Sequence, residues 1–118
     1  MIVDPFTLLA GIQTAVSFAK KALATAQDIG ELGKAAGKLL SAKDDAEQFV
    51  AEQKASGDMS NFEIAAQIEV QIFEAERFEK QFEILFMQSG NVDVWNKIKA
   101  RKRGLDQADK MAKQAALD

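Results

Sequence analysis

The sequence predicts an all-α protein, and three observations carry that prediction. Its 118 residues include a single proline, Pro5, so almost nothing in the chain forbids helix. Ala, Glu, Lys, Gln and Leu are abundant, and these residues cost least in a helix interior. Apolar side chains recur three and four residues apart, whereas no stretch alternates apolar and polar residues as a half-buried strand would. The length fits one small domain. The expected architecture is three to four helices, over residues 5–29, 31–55, 61–88 and 92–116, one of them long and amphipathic. Such a hairpin or bundle covers itself incompletely and completes its core by oligomerisation.

The first helix opens at Asp4-Pro5, an N-cap followed by proline at the first helical position. Leu8, Leu9, Ile12, Val16, Leu23 and Ala26 then form an apolar stripe, with Ala15, Ala19 and Ala22 filling it. Thr7, Thr14, Lys21 and Asp28 line the opposite side at intervals of seven. Residues 5–19 are uncharged, but the run is shorter than the roughly 20 apolar residues a bilayer requires. Lys20 and Lys21 follow the apolar run, whereas a secretory signal places its bases first. The segment is therefore expected to fold against the rest of the chain, with transient contact at a membrane surface or insertion into a neighbouring subunit as the alternative. Phe18 falls off the apolar stripe and calls for cover from outside the intrachain core.

Gly30, Gly33 and Gly37 come next, three helix-weakening residues in eight. They imply either a bend or a face where another backbone approaches closely. Helix continues to Lys54, with Leu39, Leu40, Phe49 and Val50 as apolar members. The stretch Ser56-Gly57-Asp58 is a turn, and Ser60 with Glu63 reads as a capping box. The third helix carries two stripes: Ile64, Ile68, Ile72, Ala75, Phe82 and Leu85 make one, and Phe62, Ala66, Val70 and Phe73 make another, widened by Phe78 and Phe86. A helix so apolar around its circumference must be covered on more than one side. Gly90 is placed to terminate it and Asn91 to cap a last helix holding Val94, Trp95, Ile98, Leu105, Met111 and Ala115.

Charge is segregated. The first 43 residues carry a net +2, residues 44–83 hold eleven acids against three bases, and residues 84–118 carry +3, giving −3 in total. That distribution suggests pairing of acidic and basic segments within or between copies. With no Cys and no His, the chain has no disulfide, no thiolate or imidazole catalyst, and none of the usual zinc or haem ligands. Asp44, Asp45, Glu69, Glu74, Glu76, Glu79 and Glu83 read as a solvated face. Phosphate-cradling loops, EF-hands and nucleophile elbows are absent from the sequence. No catalytic residue, cofactor, metal or small-molecule substrate is expected. The basic run Lys97, Lys99, Arg101, Lys102 and Arg103 could neutralise phosphates, but docking on the acidic stretch of a neighbouring copy fits the charge pattern better.

The opening "DPFTLLAGIQTAVSFAKKAL", followed by "DIGELGKAAGKLLSA", resembles a family of small proteins encoded by tailed bacteriophages, notably those of marine bacteria. The closing "LFMQSGNVDVWNKIKARKR" is similar to the same family's apolar helix end, glycine turn, tryptophan and basic helix. The resemblance implies a virion component and no activity; the function expected for such a chain is a structural one, in multiple copies beside other virion proteins, at the portal vertex or internal core and linked to DNA ejection. Gly30, Gly33, Gly37, Phe73, Phe78, Phe82 and Phe86 are the expected assembly residues. The alternative is a small cytosolic regulator that binds a host protein or nucleic acid through the basic helix.

Overall fold

The computed structural model describes residues 4–25, 28–57 and 61–100. Three long helices, α1 (Pro5–Thr25), α2 (Ile29–Ser56) and α3 (Phe62–Gln88), each pack against the other two. Residues 92–100 form the described part of a fourth helix, α4. The protein is all-α, and no strand occurs among the described residues. Phe6 at the start of α1 and Phe62 at the start of α3 border one depression, so these two helices begin at the same end of the bundle.

Several helix ends have a local cause. The Asp4 carboxylate accepts the Phe6 N–H at 3.0 Å, as the Asp-Pro opening implies. Asp28 does the same for α2, accepting the Gly30 N–H at 2.8 Å, with Glu31 adding negative charge to the first turn. This places the first break ahead of the expected boundary at Ile29, because Asp28 caps a new helix instead of extending the polar stripe of the first. Gly57 stops α2 in the left-handed conformation, with φ 69° and its N–H on the Gln53 carbonyl at 3.2 Å. α3 starts at Phe62 with Asn61 as its cap, and the Asn61 side chain makes no capping bond. The Ser60 half of the expected capping box lies outside the described residues.

Gly90 ends α3 as expected, at φ 77°. Its N–H reaches the Met87 carbonyl and the Asn91 N–H reaches that of Phe86, the paired bonds of a Schellman motif. The turn aims α4 back across the bundle. There Trp95 stacks on Phe86 with ring centroids 5.7 Å apart, and only 2 % of Trp95 remains exposed.

The glycine-rich stretch does not interrupt α2, which runs unbroken from Ile29 to Ser56. Close backbone approach at these glycines is absent among the described residues. A Cβ on Gly37 would meet nothing within 4 Å, and one on Gly30 would meet only the side chain of Asp28. One on Gly33 would touch Ile98 Cδ1 of α4 at 3.5 Å, an ordinary contact. The expectation of tight helix contact at these glycines therefore finds no support within the chain.

The core sits where α1, α2 and α3 meet. α1 contributes Ile12, Ala15, Ala19 and Ala22, and α2 contributes Leu32, Ala35, Ala36, Leu39, Leu40, Ala46, Phe49 and Val50. The alanines let the helices approach, while Ile12, Leu39, Ile68, Phe82 and Phe86 fill the volume between them. Removing that apolar surface from water, at about 25 cal/mol per Å², is the main force holding the bundle together.

Candidate functional site

α3 carries two apolar faces. Ile64, Ile68, Ala75, Phe82 and Phe86 are buried on the inner one. At 100° per residue, Phe62, Ala66, Val70, Phe73, Ile84 and Met87 lie on the opposite side of the same helix. The large members of this outer face remain 53 to 62 % exposed, and Ala66 is exposed as well. Among the described residues the chain's own helices, Trp95 of α4 included, close the core, and the outer face of α3 remains as a separate exposed apolar surface.

This division sorts the expected assembly residues. Phe73 lies on the outer face and is available to a partner. Phe78 is half-buried at the edge of the core. Phe82 and Phe86 are corrected: both are fully buried, so neither can meet another copy while the helix stays packed. The sequence reading missed Ile84 and Met87, which continue the outer face towards the end of the helix. Charge could have separated the faces beforehand. Glu69, Glu76, Arg77 and Lys80 share the outer face, whereas the one acid on the inner side, Glu79, has a dedicated partner.

That partner is Lys43 of α2, which donates a short hydrogen bond to the Glu79 carboxylate, both side chains being mostly buried. Burial by itself would lower the Lys43 pKa. The Glu79 hydrogen bond and charge, reinforced by Glu47 and Glu76, outweigh it and hold the ammonium group above its ordinary value. A second, exposed pair joins Lys54 to Glu69 at 3.2 Å. Beside these pairs runs an open groove between α2 and α3, lined by apolar Val50, Ala51, Ile72 and Phe73 and by charged Glu47, Lys54, Glu69 and Glu76.

The basic run is described only in part. Lys97 is exposed. Lys99 lies over the Trp95 ring at 5.8 Å, which ties part of its charge to the chain itself. Arg101, Lys102 and Arg103 lie outside the described residues. Trp95 anchors the core instead of offering a stacking surface, although its indole N–H is buried without an acceptor among the described residues. Phe18 takes part of its cover from within the chain, the Lys38 ammonium lying 4.6 Å from its ring centre.

Among the described residues, no group of three or more acids could hold a metal ion, and no helix is long and apolar enough to cross a membrane. No protein-family model matches the chain, and comparison with curated proteins and with solved structures returns no match.

Proposed function

We propose that the chain is a small structural protein that works in multiple copies, as a component of a tailed-bacteriophage virion at the portal vertex or internal core, with a link to DNA ejection. The observation that carries this reading is the outer face of α3. Five large apolar side chains stand more than half exposed along one side of a 27-residue helix whose other side is already buried. An exposed apolar patch of more than a few hundred Å² marks an interaction surface. The charged side chains among them suit a specific protein surface better than a bilayer interior. The bacteriophage assignment rests on the sequence resemblance at the two ends of the chain.

Two measurements test the reading. Light scattering on the purified chain reports assembly: an oligomer that dissociates on dilution is expected, and a strict monomer at high concentration refutes it. Quantitative mass spectrometry of purified particles reports location: a fixed copy number per particle is expected, and absence from particles refutes the virion assignment.

A further inference from the structure

We infer that α3 pairs with α3 of a second copy, antiparallel, about a two-fold axis passing near position 75. This rests on the assembly reading above and specifies its partner and geometry. The outer face reads Phe62, Ala66, Glu69, Val70, Phe73, Glu76, Arg77, Lys80, Ile84 and Met87 along the chain, and every one of these residues is exposed. A helix turned end for end against itself brings Phe62 opposite Met87, Ala66 opposite Ile84, Glu69 opposite Lys80, and Phe73 opposite Arg77.

Each of those juxtapositions is chemically complementary, and symmetry makes each occur twice. The Phe62 ring meets a flexible thioether. The smallest residue on the face receives a large branched one, which lets two helix axes approach to the 8–10 Å of ordinary packing. Glu69, already 3.2 Å from Lys54 of its own α2 on the exposed surface, gains a second cation in Lys80 across the interface. The Arg77 guanidinium, held by Glu74 at 3.4 Å within its own chain, can lie over the Phe73 ring of the second copy. In-register parallel pairing would instead set Glu69, Glu76, Arg77 and Lys80 each against its own copy, four like-charge contacts, whereas the antiparallel arrangement brings only Glu76, close to the two-fold axis, near its like.

The area suffices. Phe62 and Phe73 are each 62 % exposed, which for a ring burying roughly 200 Å² leaves about 120 Å² apiece to cover. Val70, Ile84 and Met87 of both copies then bring the total near the roughly 1,000 Å² of a specific interface.

The absence of cysteine makes the register directly testable. Ala66→Cys and Ile84→Cys both sit on the exposed face and leave the core untouched. Mixing the two single variants under mild oxidation is expected to give a disulfide-linked dimer containing one chain of each. Either variant alone is expected to give little, because like positions would lie about 27 Å apart at 1.5 Å per residue. Lys80→Glu should weaken dimerisation about ten- to thirtyfold, since two ion pairs become two repulsions. Adding Glu69→Lys with Lys54→Glu, which keeps position 69 paired within its own chain, should restore it, with helix content unchanged throughout. Efficient self-linking of Ala66→Cys would overturn the antiparallel geometry in favour of a parallel one. An oligomer by light scattering that yields no mixed disulfide would overturn this pairing and leave the assembly reading standing. A monomer at high concentration would overturn both.

Discussion

Phe73 and Phe82 are the same residue type on the same helix, nine positions apart, which on an α-helix is half a revolution from any common face. Phe82 is 0 % exposed and Phe73 is 62 % exposed. Truncating each to alanine therefore separates folding from association. Phe82→Ala removes a ring surrounded by core and leaves a void that rigid neighbours fill only partly, so the expected loss is about 3–5 kcal/mol. Set against the 5–15 kcal/mol typical of a whole domain, that is a large fraction of the total. Phe73→Ala removes a ring that projects into water, and its effect on folding should fall within about 0.5 kcal/mol. Urea denaturation followed by far-ultraviolet circular dichroism, at a concentration low enough to keep the chain monomeric, measures both. Size-exclusion chromatography with light scattering measures association separately, where Phe73→Ala should shift the balance strongly towards monomer. If Phe73→Ala destabilised the dilute monomer as much as Phe82→Ala does, the outer face would be covered by the chain itself and the distinction between the two faces would fall.

Three further outcomes follow from local features. Lys43 holds its proton more tightly in the folded chain than in the unfolded one, so the contribution of its pair with Glu79 is complete below the ordinary lysine value of 10.5 and fades as pH rises beyond it. The urea midpoint of the native chain should thus fall more steeply above that pH than the midpoint of Glu79→Gln, which should also be about 1–3 kcal/mol less stable at neutral pH; equal slopes would refute the assignment. Gly37→Ala should stabilise the fold by about 0.5–1 kcal/mol, because the position is helical and a Cβ there meets nothing within 4 Å. A loss of stability on thermal melting would restore a conformational role for that glycine. Asp28→Ala should cost about 1 kcal/mol by removing the cap on Gly30, with amide exchange accelerating first at the start of α2; unchanged exchange there would show that the cap is dispensable.

Helix content was legible because it depends on composition and period, both local properties. Asp4-Pro5 and Gly90 marked helix ends because cap chemistry requires those residue types at those points. Asp28 was misread because it satisfied two patterns at once. It continues a polar stripe at intervals of seven, and it also opens Asp-x-x-Glu, the spacing of a cap with an acid in the first turn. In the fold it is the cap, accepting the Gly30 N–H. The three glycines misled for a related reason. Helix propensity charges each of them a cost, but α2 recovers it through buried residues between and after them, Leu32, Ala35, Ala36, Leu39 and Leu40. Which phenylalanines of α3 face inward could not be read from apolar period alone, since both faces satisfy it. Only the charges interleaved at 69, 76, 77 and 80 distinguish the outer face.

Those same charges explain how a chain can display Phe62, Val70, Phe73, Ile84 and Met87 without associating at random. A continuous apolar stripe would accept any other apolar stripe in any register. Four charges in the middle of this one penalise every alignment that buries a charge unpaired or sets like beside like. Specificity is obtained at the expense of some affinity, because each charge reduces the apolar area available. Folding carries no such penalty, since Phe82, Phe86, Ile68 and Leu39 are covered by their own chain whether or not a partner is present. Dissociation should therefore return folded monomers, and assembly should follow concentration by mass action. A core completed only by a second copy would behave differently, unfolding as it dissociates, with a melting temperature that rises with protein concentration even for Phe73→Ala. Concentration-independent melting of Phe73→Ala, alongside concentration-dependent melting of the native chain, is the behaviour that a closed core with a separate, charge-registered face requires.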